Sequence, residues 1–182
     1  MRIESISDYQ IKFSDKFFID TNVWLYLLYP QSSLPSKSII QAYSDFHHKL
    51  LNKGSLILTH PIQLSELINA VISIEYKLYT SKYQYQKLKD WKKTQDFNRV
   101  RSEAQDLAKN ITRQSSLISG TFAPSELEEI VDNCDQADFN DLFFVKFAEK
   151  EQMNIITHDG DYNVSLDFSQ CILTANINLL DK

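Results

Sequence analysis

FFIDTNVWLYLLY, residues 17–29, is the stretch whose reading decides the fold. FFI is a short apolar run that ends on an acid, Asp20. A run this short and apolar at every position reads as a strand buried on both faces. The residues that follow contain no breaker before Pro30, so they read as a helix with Thr21 or Asn22 near its N-cap. A buried strand feeding a helix is the first half of a βαβ unit. The same pattern returns further on. SLILTH, residues 55–60, is a second buried strand, and Pro61 suits the first position of the next helix, capped by His60 or Thr59. That helix carries Ile62, Leu64, Leu67, Ile68, Val71 and Ile72. NIITH, residues 154–158, is a third strand, preceded by a strongly periodic helix over 140–152 and followed by a DGDY turn. CILTA, residues 171–175, is a fourth. A further helix spans 36–53, with Ile39, Ile40, Tyr43, Phe46, Leu50 and Leu51 at helical spacing and Gly54 closing it. Strands alternating with helices predict an α/β fold whose mostly parallel sheet is covered on both faces.

Between these units, residues 76–116 read as two helices rich in charge and tyrosine, forming an antiparallel hairpin that ends at Ser119-Gly120. Residues 124–131 read as a short helix with a capped start in SELEE. A length of 182 residues suits one domain, here residues 1–182 with a helical elaboration at about 76–121, and 43% apolar residues supply its core. No window approaches the roughly 18 apolar residues of a membrane helix, and the acid-containing N-terminus is no secretory signal. Cys134 and Cys171 lack the paired spacing of a zinc site, so they read as reduced thiols, core or half-buried, of a cytoplasmic protein. The net charge of −5 weighs against nucleic-acid binding. It is unevenly spread, however. Residues 77–101 are basic, with Lys82, Lys87, Lys89, Lys92, Lys93 and Arg99, whereas 126–167 are acidic. Such a division suits a polyanion gripped at one place and metals held at another.

In open α/β sheets ligands bind outside the carboxyl ends of the strands, and acids recur there. Asp20 ends the first strand, Asp159 and Asp161 follow NIITH, and Glu66 lies one to two turns into the helix after SLILTH. Asp138 and Asp141 flank the start of another helix. Each has an ordinary explanation alone: Asp138 as a helix cap, Asp161 as part of a DG turn. Glu66 is harder to dismiss, because LSELINAV leaves it little polar face. Together, carboxylates crowded at one sheet edge repel one another unless cations neutralise them. Hard divalent ions, Mg²⁺ or Mn²⁺, suit oxygen ligands, and carboxylate-held Mg²⁺ suits phosphate chemistry. The chain has no GxSxG elbow, no Walker-type loop and no GxGxxG.

FIDTNVWLY, LSELINAV and ADFNDLFFVKFAEKEQMNIITHDGDY resemble the PIN-domain ribonucleases, whose bacterial members include VapC-like toxins of type II toxin–antitoxin modules. The matching landmarks are DTN after a strand (20–22), the helix glutamate Glu66, and the run from Asp141 through Ala148 to Thr157, Asp159, Asp161 and Tyr162. They span the chain from about residue 17 to the C-terminus. The resemblance implies a three-layer α/β/α PIN-like fold and Mg²⁺- or Mn²⁺-dependent cleavage of RNA that leaves a 5′-phosphate and a 3′-hydroxyl. It implies Asp20 and Asp141 as main metal ligands, with Glu66 and Asp159 completing the catalytic acids. Asp138 and Asp161 are additional acids, and Thr21, Asn22 and Thr157 would contact the acids or the phosphate. A cognate antitoxin and a homodimer are the implied partners beside RNA.

Compact toxins of this type are shorter, and the surplus falls in residues 76–121, with Tyr76, Tyr79, Tyr83, Tyr85, Trp91 and Phe97. Lys87, Lys89, Lys92 and Lys93 are candidate RNA contacts there, with rings stacking on bases. The favoured expectation is a solvated hairpin whose rings pack inward; a partner surface is a third. His60 and His158 read as local caps, His47 and His48 as surface residues, and Trp24 as packing the first helix. The alternatives are a non-toxin RNA-processing nuclease of the same type and a catalytically silent RNA- or protein-binding module. A haloacid-dehalogenase-type phosphatase needs a second Asp two residues after the first, where this chain has Asn22. A receiver domain needs a lysine after a later strand, and none can be placed.

Overall fold

The computed structural model describes residues 2–29, 35–83, 87–120, 122–135, 137–162 and 168–180, the side chain of Asp161 excepted. Its centre is a parallel sheet of six strands in the order β1-β6-β5-β2-β3-β4. The strands are β1 (Arg2–Ser5), β2 (Lys16–Ile19), β3 (Leu56–Thr59), β4 (Ser116–Leu117), β5 (Met153–Ile156) and β6 (Cys171–Thr174). Every pairing is parallel, so the sheet exceeds the mostly parallel expectation. Two strands escaped the sequence reading. β1 carries charged and polar residues at the sheet edge, and β4 is two exposed residues long. Neither has the apolar run that marks a central strand.

Both faces of the sheet are covered, because alternate residues of each strand point opposite ways. Phe17, Ile19, Ile57, Cys171 and Leu173 join one core with residues of α1 (Thr21–Leu28), α2 (Lys37–Asn52), α3 (Pro61–Lys82) and α5 (Gln95–Gln114). Phe18, Leu58, Met153, Ile155 and Ile172 join the other with α6 (Pro124–Asp132), α7 (Phe139–Glu151) and α8 (Ile177–Leu180). Phe18 packs at a tilt against Phe144 and meets Phe147 edge-on, which clamps α7 to the middle of the sheet. Truncating a ring in such a core costs about 3–5 kcal/mol.

The elaboration differs from its expectation in one respect. The Pro61 helix does not stop near Ile72 but runs unbroken to Lys82, so its far half is the first arm of the hairpin. α5 is the second arm, and α4 (Leu88–Trp91) lies between them. The arms are antiparallel: α3 starts at the end of β3, α5 runs into β4 beside it, and Arg99 meets Glu75 at the far end. Most of the described rings pack inward, whereas Tyr83 is exposed. Trp91 is fully buried, with Tyr76, Tyr79 and Phe97 at 5.4, 5.8 and 5.1 Å between ring centres. Tyr85 lies outside the described residues.

Smaller expectations divide. Gly54 has φ +65° and closes α2 as expected. His60 caps α3, its Nδ1 accepting from the Ile62 N–H at 3.2 Å. The cap of α1 is Asp20 rather than Thr21 or Asn22. At the start of α6, Glu126 accepts from the Ala123 N–H, so the cap lies two residues before Ser125 and the contact runs one way. Trp24 is buried in the core, and His47 is no surface residue, since its ring packs edge-on against Trp24 at 5.4 Å. Cys171 is buried and Cys134 exposed, and neither is in a disulfide. No helix among the described residues is long and apolar enough to cross a membrane.

Candidate active site

Strand order reverses between β2 and β5: the chain steps from β2 outward to β3 and β4, then returns to the other side of β2 for β5 and β6. At such a switch point neighbouring loops part and leave a crevice at the carboxyl edge. Asp20 follows β2 directly, and Thr157, His158 and Asp159 follow β5. The ladder runs one step past the strands, with the Asp20 N–H donating to Ile156 O at 2.9 Å. α1, α3 and α7 also begin at this edge and bring Asp20, Glu66 and Asp141 with them. Helix starts carry positive partial charge, which suits carboxylates.

Asp20 is 5% exposed and held at both oxygens. Its Oδ1 accepts from the Thr21 N–H at 2.7 Å, and its Oδ2 accepts from the Thr157 hydroxyl at 2.7 Å. Thr157 is itself buried, and its Oγ1 accepts from the Asp159 N–H at 3.0 Å and from Asn22 Nδ2 at 3.4 Å. Asn22 Oδ1 in turn accepts from the His158 N–H at 3.3 Å. The Thr21 hydroxyl donates to Glu66 Oε2 at 3.1 Å, tying the helix glutamate to the first strand. Thr21, Asn22 and Thr157 thus spend their polar atoms on the acids and on the loop that carries Asp159.

Glu66, Asp138, Phe139, Asn140, Asp141 and Asp159 line a pocket of about 370 Å³. Asp20 sits behind it, close enough that Glu66 and Asp159 both raise its pKa. Burial is the larger cause, and the carboxyl is pushed up to about 7 despite its hydrogen bonds from Thr157 and Thr21. Glu66 is raised as well, by burial first and then by Asp141 and Asp159. The four acids Asp20, Glu66, Asp141 and Asp159 therefore share one place. Among the described residues no group of three or more His, Cys, Asp or Glu is arranged to hold a metal ion.

Asp138 sits at the N-cap position of α7 but makes no side-chain cap bond; its exposed carboxylate is on the pocket rim. Asp161 is in the short turn Gly160–Tyr162, and its side chain lies outside the described residues. Lys87, Lys89, Lys92 and Lys93 are exposed on and around α4. At 1.5 Å per residue along α3, that end of the hairpin is about 20 Å from Glu66. The structure does not bring those lysines to the acids. The sequence reading missed Asn140 as a pocket residue, although its place between Asp138 and Asp141 on a helix start was a signal. It also took Tyr162 for an aromatic landmark only, and nothing in the sequence tells that its hydroxyl is buried.

No protein-family model matches the chain, and no curated protein matches it. Solved structures do. One is VapBC2 from Rickettsia felis, solved bound to a DNA fragment from its promoter, at 16% identity and a TM-score of 0.50, covering 87% of this chain and 96% of the matched one. Another is PAE2754 from Pyrobaculum aerophilum, at 14% identity and a TM-score of 0.47, covering 92% and 97%. The likeness to the first shows the fold: the α/β/α PIN-like fold that the sequence resemblance implies is the fold observed.

Proposed function

We propose that this chain is a Mg²⁺- or Mn²⁺-dependent ribonuclease that hydrolyses RNA phosphodiester bonds, and that it acts as the toxin of a toxin–antitoxin pair. The observation that carries it is the gathering of Asp20, Glu66, Asp141 and Asp159 at the switch point of a parallel sheet, where the charged groups acting on Asp20 and Glu66 are other carboxylates. Among the described residues no Lys or Arg forms an ion pair with either. Hard oxygen donors without a cation of their own fit Mg²⁺ or Mn²⁺. Mg²⁺ keeps several waters and takes only one or two carboxylates directly, so it needs no closed cage of three or more acids.

Asp20 and Asp141 are the direct ligands in this proposal, and Glu66 and Asp159 complete the acidic ring. When bound, the cation would neutralise the acids, polarise a phosphoryl oxygen and ease loss of a proton from water. The chain itself supplies orientation. The Thr21 N–H and the Thr157 hydroxyl hold Asp20 at both oxygens, so its carboxylate is fixed in one orientation before any ligand arrives. Thr21 also fixes Glu66, and Asn22 steadies the loop bearing Asp159. These residues position acids rather than contact phosphate. Asp138 adds negative charge at the rim.

The exposed lysines around α4 offer charge to an RNA backbone, whereas Trp91 is buried and offers no stacking face. A substrate touching both places spans about 20 Å. The toxin assignment draws support from the fold shared with VapBC2, and a cognate antitoxin and a homodimer are the partners it expects. The test is cleavage of end-labelled RNA with Mn²⁺ by the natural chain and by Asp20→Asn. Cutting by the first and not the second is expected. Equal cutting by both, or none by either on a broad set of RNAs, would overturn the proposal.

A further inference from the structure

Tyr162 ends the turn Gly160–Tyr162, three residues after Asp159. Its ring is 0% exposed and belongs to the core that α7 builds with Phe18, Phe143 and Phe144. Its hydroxyl is buried and has no hydrogen-bond partner among the described residues. A buried tyrosine hydroxyl normally finds a partner, and one left without it forfeits its hydration for nothing. The surroundings are not simply apolar. Asp20, Asp141, Glu66 and Asp159 all act on this phenol, and together with burial, the larger cause, they hold its pKa well above the ordinary tyrosine range. The group is therefore a neutral, buried hydroxyl within electrostatic reach of the four acids.

Several polar groups of the site already have partners of their own. Asp20 is held by Thr21 and Thr157, Glu66 by Thr21, and Asn22 by Thr157 and His158. We propose that Tyr162 is a positioning residue of the acidic site, its hydroxyl oxygen accepting a hydrogen bond from a water in the hydration shell of a bound divalent cation. This rests on the metal-dependent function proposed above. A cation polarises the O–H bonds of its waters and makes them strong donors, and Mg²⁺ or Mn²⁺ retains several of them in a site built from few carboxylates. The phenol, keeping its own proton toward the carboxylates, then gains the partner it lacks.

The test is Tyr162→Phe beside the natural chain and Asp20→Asn, with melting temperature read without metal and Mn²⁺ affinity read by calorimetric titration. Removing a partnerless hydroxyl leaves the metal-free melting temperature equal to or above that of the natural chain. Mn²⁺ affinity falls about 10- to 100-fold, the usual cost of losing an outer-shell partner. A drop of more than about 2 °C without metal would show that the hydroxyl has a protein partner, and would overturn the proposal. So would unchanged Mn²⁺ affinity in Tyr162→Phe where Asp20→Asn has lost it, which leaves the site intact and removes only the role of Tyr162. If the natural chain binds no Mn²⁺ at millimolar concentration, the metal-dependent function itself fails and this proposal falls with it.

Discussion

Two groups of acids in this molecule sit in opposite electrostatic circumstances. At the far end of the hairpin, Glu75, Asp96 and Glu103 meet the Arg99 guanidinium at 3.3, 3.0 and 2.8 Å. Asp96 also accepts from Trp91 Nε1 at 2.9 Å, and this bond, with Arg99, holds its pKa below the ordinary range. At the carboxyl edge of the sheet, Asp20 is pushed up to about 7 by burial and by the neighbouring acids Glu66 and Asp159. The chemical groups are the same. One cluster carries its own cation, and the charged neighbours of Asp20 and Glu66 are all negative. An ion-pair network lowers the pKa of its acids, whereas burial and neighbouring carboxylates raise those of Asp20 and Glu66.

The sharpest way to break that contrast is pH. Asp20 binds its proton more tightly folded, near pH 7, than unfolded, near its ordinary 3.8. Its contribution to stability is therefore fully present below about pH 4, is lost between about 4 and 7, and stays lost above. The metal-free protein should melt at a lower temperature at pH 8 than at pH 5, with at most about 2.7 kcal/mol of stability lost from this group between the two. A flat or rising profile across this range would contradict the buried, uncompensated state of Asp20.

Asp20→Asn removes the buried charge and keeps an acceptor for the Thr21 N–H. At pH 8 without metal it should stabilise by about 2 kcal/mol, and the gain should vanish at pH 5, where Asp20 is protonated. Chemical denaturation at the two pH values measures this. At the other cluster the same kind of change should act in reverse. Arg99→Leu leaves Glu75, Asp96 and Glu103 without their cation, and at pH 7 it should cost about 1 kcal/mol, since Arg99 is half exposed and screened. Because Asp96 is depressed, that loss should shrink as pH falls below about 4. The smallest effect on the fold, none, is expected from replacing Lys87, Lys89, Lys92 and Lys93 by Gln together. What should change is RNA binding: its dependence on salt should flatten by up to about 3 in log–log slope. An unchanged slope would assign this end of the hairpin to structure or to a protein partner.

How much of this could be read from the chain follows from local physics. FFID, SLILTH, NIITH and CILTA announce themselves because central strands of a parallel sheet must be apolar on both faces. Asp20, Glu66, Asp141 and Asp159 were legible as a set because β2, β3 and β5 end, and α7 begins, at one edge of a parallel sheet. β1 and β4 were not, since Arg2, Glu4, Ser116 and Leu117 at sheet edges need no apolar pattern. The unbroken course of α3 past Ile72 was missed because its far half exchanges core contacts for the rings of Tyr76, Tyr79 and Trp91. The task of Thr157, a single hydroxyl joining Asp20 to the Asp159 loop, depends on register between β2 and β5, and no local pattern encodes it.

The central claim, that these acids form a cation site, is tested most directly by melting temperature against Mn²⁺ concentration at pH 8 for the natural chain and for Asp20→Asn. The natural chain should climb steadily with metal, by about 2.7 kcal/mol of stability at a hundred times the dissociation constant, while Asp20→Asn stays level. A natural chain that stays level from micromolar to millimolar Mn²⁺, or a variant that climbs just as far, would contradict it.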